Sequence, residues 1–222
     1  MARLAPAAAK ALVRIGVPKR VAAGRVLIRE GATESHVLLI EHGLTKVTAA
    51  TADGRAALLS IRVAGDLVGE MSALSSKPRS ATVTMCTGGV VRVVPLREFT
   101  PFLSANPDVA VKLAGMVADR LAWSNRRRVD FTSYPVKTRL ARILAEMAEL
   151  HGLPDDHGAL EIGVRLTQPE LASMCGAAEI SVQKALREMR RGNVVSSRYG
   201  RITVWDLPAL RGSADLGPNQ RS

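Results

Sequence analysis

Between Val21 and Val94 the chain alternates short β-rich runs with glycine turns, and at Pro95 that texture stops. The runs are Val26-Leu27-Ile28, Val37-Leu38-Leu39-Ile40, Leu44-Thr45-Lys46-Val47-Thr48, Ala57-Leu58-Leu59-Ser60-Ile61 and Val90-Val91-Arg92-Val93-Val94. Glu30-Gly31, His42-Gly43, Asp53-Gly54, Ala64-Gly65-Asp66 and Gly88-Gly89 separate them. Branched apolar residues suit a pleated, half-buried surface, and glycine supplies the positive φ of tight turns. Asp-Gly between two alternating runs specifies a hairpin. Strands this short and this frequent close into a sandwich or roll rather than an open sheet wound with helices.

Past Pro95 the pattern is helical. Asn106-Pro107-Asp108 punctuates it, and a long helix is expected from about Val109 to Ser133. Along that helix Ala110, Ala114, Val117, Leu121, Ser124, Arg128 and Phe131 recur at alternating four- and three-residue steps. Such a seam pairs with its copy in a second chain, or packs on its own domain. Ser124 and Arg128 within the stripe, and Tyr134-Pro135 at its end, favour pairing. A second helix follows over Thr138 to His151, then Leu160-Glu161-Ile162 and Val164-Arg165-Leu166 read as a strand pair. Thr167-Gln168-Pro169-Glu170 is a capping box with proline in the first turn, so a helix opens at Gln168 and runs to Met174. A turn at Cys175-Gly176, a helix from Glu179 to Arg191 and a β-wing over 194–205 complete a winged helix-turn-helix.

The expected architecture is α+β. A β-roll occupies 1–107, a dimerisation helix 108–134, a winged helix-turn-helix 135–210, and an aperiodic, disordered tail 211–222. Leu4 to Ile15 reads as a short basic helix.

The net charge of +11 favours a polyanionic partner or an anionic ligand. Acids and bases nearly balance after Pro135, so that charge sits mostly in the β region and the long helix. Aromatics at 3% leave little material for stacking nucleic-acid bases. Two distant cysteines, Cys86 and Cys175, cannot supply the four ligands of an iron–sulfur cluster. His36, His42, His151 and His157 have no metal-ligand spacing. No catalytic triad, carboxylate pair or P-loop is present, so an enzyme is not expected. No apolar run reaches membrane-spanning length, and reduced thiols fit a cytoplasmic protein without a membrane partner.

The stretch Gly69-Glu70-Met71-Ser72 to Arg79-Ser80-Ala81-Thr82 carries the clearest chemistry. A carboxylate, a guanidinium fork and unhindered backbone amides are what a cyclic sugar-phosphate needs. Glu70 can accept from a ribose hydroxyl, while Arg79 holds phosphate oxygens. The spacing alone leaves open a surface hairpin with an ordinary Glu–Arg pair. In the helix-turn-helix, Glu179 is suited to a cytosine amino group, Gln183 to adenine and Lys184 to guanine. Arg187, Arg190, Arg191, Arg198 and Arg201 suit phosphates, and Ile180, Val182, Ala185, Leu186 and Met189 are assigned to packing.

Gly69-Glu70-Met71 and Pro78-Arg79-Ser80-Ala81-Thr82 resemble the phosphate-binding cassette of the cAMP receptor protein (CRP/FNR) family of bacterial transcription factors. The resemblance runs from Gly24-Arg25-Val26-Leu27-Ile28-Arg29-Glu30-Gly31 to the wing near Trp205. It implies a jelly roll of the cyclic-nucleotide-binding type, cAMP or a related cyclic nucleotide as allosteric ligand, a homodimer, double-stranded DNA, and RNA polymerase as a further partner; the alternatives are a regulator of this family with a different ligand or none, and a nucleotide-sensing module acting on a protein partner. The implied pocket is Leu59, Ser60, Gly69, Glu70, Met71, Ser72, Arg79, Ser80 and Ala81, with Ser124 and Asn125 of the long helix reading the base. The implied DNA set is Thr167, Gln168, Glu179, Ser181, Gln183, Lys184, Arg187, Arg198 and Arg201. The chain departs from the family where Glu179-Ile180 and Lys184 replace an Arg-Glu pair and a second Arg, and where Ala178 replaces a polar cap. Ser124 stands where many cAMP-responsive members carry threonine. Beside it, Trp123 and Arg126-Arg127-Arg128 either line an enlarged anionic pocket or, the preferred reading, are solvated helix charges.

Overall fold

The computed structural model describes residues 10–215 and divides after Ser124 into two compact units. Among the described residues the first unit holds eight strands in two antiparallel sheets. They are β1 (Val17–Val21), β2 (Val26–Ile28), β3 (His36–His42), β4 (Thr45–Ala50), β5 (Ala56–Arg62), β6 (Leu67–Val68), β7 (Thr82–Met85) and β8 (Gly89–Pro95). The sheet orders are β1-β8-β3-β6 and β2-β7-β4-β5. Strand β3 explains why its sequence reads as an unbroken apolar run: Val37 and Leu39 enter one core cluster, Leu38 and Ile40 the other. A strand buried on both faces has no polar side to alternate with.

The expected Asp-Gly hairpin joins β4 to β5. Thr51 N donates to Arg55 O at 2.8 Å, Gly54 takes φ 79°, and the Thr51 hydroxyl donates to Asp53. That hydroxyl, then Arg55, holds the Asp53 carboxyl well below the usual carboxylate range. Strands β1, β6 and β7 were not expected. The exposed β1 pairs with β8 despite Pro18, β6 is only two residues long, and β7 continues the Arg79 segment.

Three helices follow the strands or interrupt them: α1 (Glu70–Ser75), α2 (Leu96–Ala105) and α3 (Pro107–Ser133). The start of α3 lies two residues before the sequence expectation. Its Val109, Leu113 and Met116 bury into the first unit's core beside Phe99. That leaves Ala114, Leu121 and Ser124 of the expected seam exposed.

The second unit begins at Asn125, within α3. It contains α4 (Val136–His151), β9 (Gly152–Pro154), β10 (Leu160–Ile162), α5 (Gln168–Cys175), α6 (Glu179–Arg191), β11 (Val195–Arg198), β12 (Arg201–Val204) and α7 (Leu207–Ser213). Its sheet runs β11-β12-β10-β9. Here two expectations are corrected. The strand pair is Gly152–Pro154 with Leu160–Ile162, and Val164-Arg165-Leu166 is not a strand; Leu166 N instead donates to Gly200 O at the wing turn. The segment from 211, expected to be disordered, instead begins as the last turn of α7; Leu210 in that helix and Ala214 at its C-cap are buried, and Arg142 Nε donates to Ala214 O at 2.8 Å. Residues 216–222 of that segment, and the first half of the helix expected over Leu4 to Ile15, lie outside the described residues; Lys10 to Leu12 are helical, and Leu12 is buried in the first core.

Candidate nucleotide pocket and DNA-reading surface

Gly69 is where the pocket begins. Its φ of 84° caps α1, and a Cβ there would stand 2.6 Å from Arg79 Nη1 and 3.2 Å from His36 O. Only glycine lets the Arg79 guanidinium approach this backbone. Arg79 is buried, its Nη1 donating to Gly69 O at 2.8 Å and Ser72 Oγ at 2.7 Å, its Nη2 to His36 O at 2.5 Å. Its Nε is buried and has no hydrogen-bond partner among the described residues. Burial lowers the Arg79 pKa from its ordinary value, and burial followed by the Arg79 charge lowers that of His36.

Glu70 is 3% exposed, a carboxylate that burial alone would penalise. Its partner is Arg120 of α3, whose Nη1 reaches Glu70 Oε1 at 2.5 Å while Nη2 donates to Leu67 O at 3.0 Å and lies 3.6 Å from Asp66. Arg62, at the end of β5, is also buried; burial and then the like charge of Arg120 push its pKa down to about 10, so it stays cationic at neutral pH.

These groups line one cavity of about 460 Å³, within the range of small-molecule sites. Leu59, Ser60, Gly69, Glu70, Met71, Ser72, Arg79, Ser80, Ala81 and Ser124 all lie in its wall. Asn125 does not; it is exposed and belongs to the second unit. Sequence reasoning missed Arg62 and Arg120, and Trp123 lines the cavity beside them. Arg120 sits one helical turn before Ser124, so stepping back by four would have reached it. Arg62 gave no such signal.

In the second unit the run Arg126-Arg127-Arg128 is split. Arg126 and Arg128 are exposed, but Arg127 is buried and its Nη2 donates to Glu146 Oε2 at 2.6 Å, which corrects the expectation of three solvated charges. Phe131 packs its ring on the glycine turn: a Cβ on Gly176 would meet it at 3.1 Å. Burial pushes the Cys175 thiol up to about 12, so it is neutral and unreactive at neutral pH.

The capping box at α5 is present: Thr167 Oγ1 accepts from Glu170 N at 3.3 Å, and Thr167 N donates to Glu170 Oε2 at 2.7 Å. Gly176 then turns the chain at φ 56° into α6. Val182, Ala185, Leu186 and Met189 are the buried face of α6. Ile180 is not among them; it is 75% exposed, so its assignment to packing is corrected. Ser181, Gln183, Lys184 and Arg187 lie on the outer side, and Gln183 Nε2 donates to Gln168 Oε1. Glu179 is half-buried in the first turn. Arg198 lies 5.7 Å from the ring of Tyr199 at the wing tip, and Arg201 pairs with Glu161 at 2.7 Å. Arg165 joins them around the wing and was missed.

A β-roll with an anion-suited cavity and a winged helix-turn-helix are the two parts of a DNA-binding regulator that carries a nucleotide-binding domain. The two halves match separate family models: a cyclic nucleotide-binding domain over residues 18–106 and a Crp-like helix-turn-helix domain over 138–212. The chain is 30% identical over 185 residues to the CRP-like cAMP-activated global transcriptional regulator of Mycobacterium tuberculosis, covering 82% of this chain and 81% of that one. A CRP/FNR-family regulator of Thermus thermophilus superposes with a TM-score of 0.75 at 23% identity, covering 90% and 98%. A c-di-GMP-responsive global regulator of Xanthomonas campestris has the same fold, at TM-score 0.76 and 16% identity over 90% and 99%. The chain therefore belongs to the CRP/FNR family of transcription regulators, which are DNA-binding proteins and not enzymes. Among the described residues no helix is long and apolar enough to cross a membrane, and no cluster of metal ligands occurs.

Proposed function

We propose that this protein is a cytoplasmic homodimer whose affinity for its operator is set by a cyclic nucleotide, with cAMP the first ligand to test. The observation that carries the reading is the convergence of Glu70, Arg79 and Ser124 on one cavity. A cyclic phosphate supplies an acceptor for the buried Nε of Arg79, which has no partner among the described residues. The Glu70 carboxylate, paired with Arg120, accepts from the ribose hydroxyl. Ser124 offers a hydroxyl to the base. Three guanidinium groups, Arg62, Arg79 and Arg120, surround the cavity against the buried carboxylates Asp66 and Glu70 and the more exposed Glu34, a setting suited to an anion. The similarity to a cAMP-activated regulator makes cAMP the leading candidate, and RNA polymerase is the expected partner once DNA is bound.

The ligand acts only through the difference in its affinity for two states of the protein, one of which holds DNA more tightly. Thr167, Gln168, Glu179, Ser181, Gln183, Lys184, Arg187, Arg198 and Arg201 are the proposed contacts, with Arg201 first leaving Glu161. Fluorescence anisotropy on promoter duplexes, with no ligand, cAMP, cGMP or c-di-GMP, tests this directly. The expected result is duplex binding that strengthens with one nucleotide and weakens steeply with salt. Equal binding in every arm would contradict control by a nucleotide, and no salt-sensitive binding at all would point to a protein partner.

A further inference from the structure

The outer stripe of α6 carries one side chain that the charges around it do not explain. Ile180, Gln183, Lys184 and Arg187 follow one another at three- and one-residue and then three-residue steps, so they share the face opposite Val182, Ala185 and Met189. Read from the N-terminus, that face is aliphatic, then amide, ammonium and guanidinium. Single exposed aliphatic residues are ordinary on protein surfaces. The position of this one is not ordinary. It lies in the first turn of the second helix of a helix-turn-helix, where side chains reach base edges in the major groove. Lys184, Arg187 and Arg191 beside it supply the charge complementarity that seats the helix against phosphates.

Isoleucine has no donor or acceptor to offer a base. Placed against the amino group of cytosine or adenine, it would leave that group desolvated and unpaired. The one apolar feature of the major groove is the 5-methyl group of thymine. We infer that Ile180 is a sequence-reading residue that packs against the methyl group of one thymine in each operator half-site and selects thymine over cytosine there. This rests on the DNA-reading role of the helix-turn-helix and adds to it a base identity at one position.

The test begins by selecting duplexes from a random pool with the full chain, with and without cAMP. Each thymine of the selected half-site is then replaced by deoxyuridine, which pairs identically but lacks the methyl group. Wild-type protein should lose about fourfold in affinity at one thymine, the worth of one buried methyl. Ile180→Ala should be indifferent to the same replacement while melting at the wild-type temperature, since the side chain is exposed. Ile180→Glu should move the preference at that position from thymine toward cytosine, whose amino group a carboxylate accepts from. Wild-type indifference at every thymine, the result if Ile180 anchors a protein instead, overturns the inference while duplex binding survives. An equal loss in Ile180→Ala overturns it too. Absence of any salt-sensitive duplex binding would overturn the DNA-reading role itself.

Discussion

Gly69 shows how much of the pocket depends on one missing methyl group. Its φ of 84° and the 2.6 Å approach to Arg79 Nη1 both exclude a side chain. Gly69→Ala should destabilise the first unit by more than about 1 kcal/mol and displace Arg79. The checks are a melting curve and a nucleotide titration, and both should fall together. Glu70 and Arg79 were legible in the sequence because a local motif holds both of them within a few residues. Arg120 and Arg62 were not, because each reaches the cavity only after distant elements fold: α3 is brought onto the roll by Val109, Leu113 and Met116. Ile180 was misread for a different reason. Its hydrophobicity suggested packing, whereas helical phase alone, two residues off the buried stripe, puts it outside.

At the scale of elements, strong local signals survived folding well. The capping box at Thr167, the Asp-Gly hairpin and both helices of the helix-turn-helix lie where the sequence puts them. Elements lacking a local signal, such as the two-residue β6 and the exposed β1, depend on the strands they pair with. The last turns of α3 join the second unit through paired charges: Arg127 with Glu146, and Asp130 with Arg142 at 3.0 Å. Arg142 also stacks 3.9 Å from the ring of Tyr134. Removing one member of a buried pair leaves the other uncompensated, whereas replacing both with apolar groups need not. Arg127→Met should therefore cost about 3–5 kcal/mol, and Arg127→Met with Glu146→Leu much less. Denaturant unfolding of the two proteins measures the difference.

For the whole molecule, the family and the α+β architecture were legible because several separate motifs fell in one order along the chain. Assembly is a further step. Ala114 is exposed on the seam of α3 and takes no part in the cavity wall. In a dimer built on that seam, Ala114→Glu would bring two like charges together, so the variant should sediment as a monomer where the wild type is a dimer. A monomeric wild type would remove the seam from the account. The cavity around Arg79 is proposed to take a cyclic nucleotide, and calorimetry of cAMP with wild type and Arg79→Leu measures that binding without DNA or assembly intervening. A charge-assisted contact of about 1.5–3 kcal/mol predicts saturable binding that falls at least tenfold in the variant. Unchanged affinity in Arg79→Leu, with the variant still folded, would contradict it.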